Sequence, residues 1–187
     1  KQISREFYKY ISLNVLGMLG LSCYILADTF FISKRLGADG LTALNLAISV
    51  YSIINGLGLM LGIGGATRFA ICRAQHETQK GNQVFTASAA AGITVGLVLL
   101  LVGAVGSDAV AKVLGAEGVI QEMTGSYLKT ILGFAPFFIM NNILIAFVRN
   151  DGSPRLSMAA MLTGSFSNIV LDYVFLFPLN MGIFGAA

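Results

Sequence analysis

Hydrophobic positions along this chain gather into long unbroken runs, without the alternation of a half-buried strand or the narrow stripe of a surface helix. Five runs, 11–33, 41–63, 84–105, 131–148 and 156–179, are each about the 20 apolar residues that carry a helix across a bilayer core about 30 Å thick. The intervals between them are short and hold break signals: Gly37, Asp39 and Gly40 after the first run, Gly152 and Pro154 before the fifth. The charged stretch 68–83 separates the second and third runs and holds the only histidine, His76, which reads as a solvated loop residue. Residues 107–123, SDAVAKVLGAEGVIQEM, are amphipathic and predict a short surface helix leading into the fourth run. The pattern therefore predicts an all-α integral membrane protein, a bundle of five transmembrane helices plus the start of a sixth, within one transmembrane domain over 1–187. It leaves no room for a soluble domain.

Composition strengthens that picture. The chain is 56% hydrophobic and 11% charged, with a mean hydropathy of +0.78, far above what a soluble domain of this length needs. Its net charge of +3 would be compatible with a nucleic-acid partner, but the basic residues sort by connection. Lys1, Arg5, Lys9, Arg68, Arg73, Lys80, Arg149 and Arg155 fall on one side of the predicted bundle, and Lys34, Arg35, Lys112 and Lys129 on the other. The positive-inside rule makes the first side, with the N-terminus, cytoplasmic, so topology accounts for the charge and no nucleic-acid partner is predicted. The first run is too long for a signal peptide and lacks a cleavage site before its charged end. Cys23 and Cys72 have no C-x-x-C or Cys/His neighbourhood, so neither a metal nor a redox role is predicted. The start at Lys1 and the final MGIFGAA, which resembles the opening of another helix, predict a fragment.

Two features of the runs bear on packing. GLGLMLGIGG (Gly56 to Gly65) looks like a phosphate loop, but no strand precedes it and no G-K-[ST] follows. Inside a membrane helix such glycines let neighbours approach closely, and the same reading applies to Gly92 and Gly96. Pro136 interrupts the fourth run and is a candidate hinge, because proline removes a backbone hydrogen bond and kinks a helix.

The chemistry lies in two misplaced carboxylates. An Asp at the centre of a membrane helix costs about 2.5 to 3.5 kcal/mol, and each Leu, Ile, Phe or Val returns about 0.3 to 0.6. Eleven such residues in the first run can carry Asp28. Asp172 lies as deep in the fifth run as Asp28 does in the first; both runs point outward, so both acids sit roughly 25 Å from the cytoplasmic entry and can face one cavity. Asn168 and Ser165 share a stripe with Asp172; Asn14, Gly17 and Tyr24 share one with Asp28; Asn45, Ser49 and Ser52 form a third in the second run. Asn14, Tyr24, Asn45, Ser49 and Ser165 are accordingly candidate cavity-lining residues. Asn and Ser also serve as hydrogen-bonding glue between membrane helices, but Asn would do that without the charge penalty of Asp, and no Lys or Arg sits at matching depth to neutralise either acid. Such a pair can exchange a proton as its hydration changes, or cage a desolvated Na+ together with the Asn168 oxygen.

ADTFFISKRLG (27–37), GLGLMLGIGGATRFAICRAQ (56–75), FVRNDGSPR (147–155), SNIVLDYVFLF (167–177) and GIFGAA (182–187) resemble, in order and spacing, successive landmarks of the multidrug and toxic compound extrusion family. The resemblance implies half of a two-lobe, twelve-helix transporter in the plasma or inner membrane, exchanging protons or Na+ for drugs or toxins, often organic cations. The coupling ion, H+ or Na+, would be its only cofactor, and the missing C-terminal part of the same transporter its partner alongside the lipid bilayer. In that family acids on the first and fifth helices, with an Asn one turn before the latter, form a cation site, which carries over to Asp28, Asn168 and Asp172. One departure is Tyr173, where many members have Pro after the fifth-helix acid; another is the missing sixth helix.

Other functions fit less well. A lipid or lipid-linked-sugar flippase of the same superfamily would line its cavity with several Arg or Lys for pyrophosphate, and none sits deep in the runs. An intramembrane aspartyl protease would use two aspartates as a dyad but typically presents G-x-G-D, whereas Leu-Ala precedes Asp28 and Val-Leu precedes Asp172, so no enzyme is predicted. A channel-forming bundle needs polar residues around a continuous pore, and the third run offers few.

Overall fold

A computed structural model describes the backbone of residues 2–186 and the side chains of all of these except 2–7, 9, 10, 14, 21 and 186. The described residues are helical in six stretches: α1 (Gln2–Ala74), α2 (Thr78–Val113), α3 (Gly118–Gly133), α4 (Ala135–Asn150), α5 (Pro154–Leu176) and the short α6 (Gly182–Ala186).

α1 is two helices. Gly37 breaks it with φ 69° and ψ −153°, a conformation with little cost for a residue lacking Cβ. The first arm (2–36) and second arm (38–74) fold back on each other, since Tyr24 and Tyr51, at similar distances either side of Gly37, lie within electrostatic reach of each other. The predicted turn over residues 36–40 is thus a single residue, and Ala38–Gly40 already belong to the second arm. That arm also runs beyond residue 63 to Ala74, where residues 75–77 turn, with His76 in the left-handed region at φ 60°, into α2.

Two expectations are corrected between residues 107 and 150. The stretch 107–123 is not a separate surface helix: α2 continues through it to Val113, a turn containing Gly115 (φ 88°) follows, and α3 begins at Gly118 (φ 56°). The fourth crossing, read as 131–148, is longer and broken, with α3 and α4 meeting at Phe134 at a bend of 50°. Residues 118–130 are too polar to read as a span, yet Thr124, Tyr127 and Leu128 are buried by neighbouring helices. Pro136, in the first turn of α4, cannot donate to a preceding carbonyl, and the bend falls there.

Among the described residues three helices are long and apolar enough to cross a membrane, and the bent pair α3 and α4, taken as one span, is a fourth. Counting the arms of α1 separately gives five crossings in an all-α membrane bundle. The core is apolar, with Ile32, Leu44, Ile54, Leu128, Leu132, Ile139, Ile143 and Leu176 fully buried. Leu97, Val98, Leu101 and Val105 leave one face of α2 exposed and apolar, which suits lipid contact.

Glycines set how closely the helices approach. A Cβ on Gly62 would lie 2.9 Å from the Asn142 carbonyl oxygen, and one on Gly96 would lie 2.5 Å from the Pro136 Cα. The second arm and α2 therefore grip α4 from both sides at backbone distance, with an Asn142 to Asn55 hydrogen bond of 2.9 Å across one contact. At one end of the bundle Arg73 pairs with Asp151 at 3.2 Å; at the Gly37 end Arg35 donates to Asn180.

Candidate functional site

The first arm of α1 and α5 lie side by side and parallel, in one register along their length. The Cβ position of Gly17 faces Met161, that of Gly20 faces Leu162 and Ser165, the Phe31 ring lies 6.1 Å from Tyr173 and 5.9 Å from Phe177, and Arg35 reaches Asn180. Asp28 and Asp172 fall on that same offset. They stand at one level and within electrostatic reach of each other. Asp172 is 4% exposed and Asp28 is half-buried.

Asn168 precedes Asp172 by one turn, and Asp28 Oδ1, Asn168 Oδ1 and Asp172 Oδ2 are all buried with no hydrogen-bond partner. A buried polar atom without a partner costs about 1 to 3 kcal/mol, and three such oxygens lie on these two adjoining helices. The two ion pairs among the described residues, Arg73 with Asp151 and Lys80 with Glu77, lie elsewhere and neutralise neither acid. Hard anionic and amide oxygens suit a proton, a water or an alkali cation. Among the described residues no group of three His, Cys, Asp or Glu side chains converges.

Two tyrosines lie within electrostatic reach of both acids, Tyr24 and Tyr127, which is 6% exposed, and Tyr51 is within reach of these two tyrosines. The first arm, the second arm, α3 and α5 thus each contribute to one polar cluster in an apolar bundle. Sequence reasoning missed Tyr51 and Tyr127. Tyr127 carried the weaker signal, because it lies between the predicted surface helix (107–123) and the fourth run (131–148).

The remaining candidates divide. Ser165 is 8% exposed, adjoins Gly20, and donates back to the Met161 carbonyl at 3.0 Å. Asn45 and Ser49 are exposed and lie on the side of the second arm away from Tyr51, outside the cluster. The Asn14 side chain lies outside the described residues. Pro136 stands at the α3/α4 bend with Gly96 against it.

A family model described as MatE matches residues 14–174. The chain belongs to the MatE family. It is 33% identical over 173 residues to the multidrug export protein MepA of Staphylococcus aureus (strain MRSA252), and 30% identical over 173 residues to that of Staphylococcus saprophyticus. Each match covers 92% of this chain and 38% of the relative, so the chain spans well under half the length of these relatives. Among solved structures, a transporter of the MOP superfamily from Pyrococcus furiosus superposes with a TM-score of 0.88 at 28% identity, covering 95% of this chain and 39% of that one. A multidrug resistance MATE family transporter in its outward-facing conformation gives 0.87 at 27% identity over 95% of this chain and 40% of that one. Its inward-facing counterpart gives 0.82 at 29% identity over 87% and 37%. These MatE relatives are named as exporters and transporters and none as an enzyme, and the fold is theirs: a multi-pass helical membrane bundle.

Proposed function

We propose that the full-length protein is a cation-coupled multidrug efflux antiporter of the cell membrane, with the N-terminus of this chain cytoplasmic, and that Asp28, Asn168 and Asp172 bind the coupling ion, H+ or Na+. One observation carries the reading: three buried, unpartnered oxygens stand on two parallel helices whose acids share one level. The names of the relatives supply the cargo class, drugs and other foreign compounds.

The chemistry follows from charge. Two carboxylates at one level repel when both are ionised and empty, which favours an arrangement in which the first arm and α5 part and water enters. A proton shared between them, or a Na+ held between them with the Asn168 oxygen, removes the repulsion and draws the helices together. Coupling requires only that the closed and open arrangements differ in affinity for drug, with the lobes rocking between access states.

The test is dye efflux from membrane vesicles containing the full-length protein, energised by a Na+ gradient or by a pH gradient. Asp172→Asn is expected to abolish efflux driven by either gradient. Unimpaired efflux in that variant removes the acids from the mechanism.

A further inference from the structure

The seam between the first arm of α1 and α5 runs past the acids and ends beside a positive charge. Met161 precedes Asp172 by eleven residues, and Gly17 precedes Asp28 by eleven. Eleven residues make about three whole turns and about 16 Å of rise, so Met161 and Gly17 each share a stripe with the acid of their own helix. A Cβ on Gly17 would lie 3.2 Å from Met161 Sδ, and Arg149 Nη2, in the last turn of α4, lies 3.8 Å from the same sulfur. The guanidinium therefore stands at the seam that carries Asp28 and Asp172, three turns nearer the end where Arg73 pairs with Asp151.

Arg149 is half-buried, and among the described residues it pairs with no carboxylate. Asp151, two residues on, is taken by Arg73 at 3.2 Å, and the other ion pair joins Lys80 to Glu77. A charge that is partly buried and unpaired is weakly screened, so it repels cations that approach it. Arg35, at the Gly37 end of the same seam, differs: it is exposed and donates to Asn180, where water and salt screen it. Between Arg149 and the acids the seam is filled by Met161 and Leu162, flexible side chains set against Gly17 and Gly20. Shape alone closes such a seam poorly once the first arm and α5 part.

We propose that Arg149 is a cation barrier at the cytoplasmic mouth of this seam, its fixed charge keeping H+ and Na+ from passing between the acid pair and the cytoplasm along it. This rests on the function proposed above and adds how the site stays coupled. An arginine placed at a narrow polar path excludes protons and other cations on the same grounds. Cations slipping along the seam would run down the gradient without moving drug. Arg149 prevents that where two flexible side chains would not, and it does so without touching the ion or the drug.

The experiment is cation leak through the full-length protein in liposomes, without drug, after a pH or Na+ gradient is imposed and its decay followed with a dye sensitive to that ion. Arg149→Gln is expected to speed the decay of one or both gradients by about tenfold or more over wild type. Arg149→Lys, which keeps the charge and loses the guanidinium shape, is expected to decay like wild type. Adding Asp172→Asn to Arg149→Gln is expected to remove the extra leak, because the leak passes by way of the acids. If Arg149→Gln cannot be recovered folded, Met161→Glu, which sets a counter-charge beside the guanidinium, makes the same measurement. A neutralised variant that holds both gradients like wild type overturns the proposal. So does an Arg149→Lys that leaks like Arg149→Gln, or a leak that survives Asp172→Asn. Each of these leaves the acid pair standing provided Asp172→Asn alone abolishes dye efflux, whereas an active Asp172→Asn brings down the proposed function itself.

Discussion

The helices that grip α4 and the helices that carry the acids use glycine in opposite ways. Around α4, Gly62 and Gly96 face main chain: an added Cβ would meet the Asn142 carbonyl oxygen or the Pro136 Cα, neither of which can move alone. Between the first arm of α1 and α5, the positions at Gly17 and Gly20 face the ends of Met161 and Leu162, flexible side chains that can turn aside. Association inside a bilayer gains little from hydrophobicity and much from close packing, so the first region is held by shape. The second holds three unpartnered oxygens between its helices and keeps soft contacts beside them. The difference teaches where this bundle can move: rigid at α4, compliant at the acids.

That contrast can be broken by one substitution made in both places. Gly96→Ala, with its Cβ 2.5 Å from a backbone carbon, is expected to destabilise the protein by about 3 kcal/mol, the upper range of overpacking costs. Gly20→Ala, whose Cβ comes close only to the tip of Leu162 and meets Ser165 at ordinary contact distance, is expected to cost about 1 kcal/mol or less, because Leu162 can change rotamer. Thermal unfolding of the two variants in detergent measures both; equal losses would erase the distinction. The smallest effect is expected at the end of the bundle where Arg73 and Asp151, each with half of its side chain exposed, join the last turn of the second arm to the turn before α5. Arg73→Ala should change stability by no more than about 0.5 kcal/mol, and less in high salt. A larger loss there would show that the two regions are tied together from the surface.

Much of this was legible in the residues alone. Run length and helical rise are local properties, so the spans, the break at Gly37 and the shared level of Asp28 and Asp172 follow from counting. The cost of placing a carboxylate in lipid singled out those two acids before any contact was known. Azimuth was different. Asn45 and Ser49 form as regular a stripe as Asn168 and Asp172, but the second arm turns its Tyr51, Gly58 and Gly62 side toward Tyr24 and α4, which leaves that stripe facing away.

Sequence by itself thus determined which stretches are apolar and long enough to span a bilayer and that Asp28 and Asp172 stand level, because hydrophobic length and rise per residue act within a single helix. Only the tertiary structure decided which polar groups meet. It brought Tyr127 within electrostatic reach of the acids and carried α3 through a stretch too polar for lipid. The reason is that burial by protein, unlike burial by lipid, is a property of the neighbours, and which face a helix shows them is settled by packing.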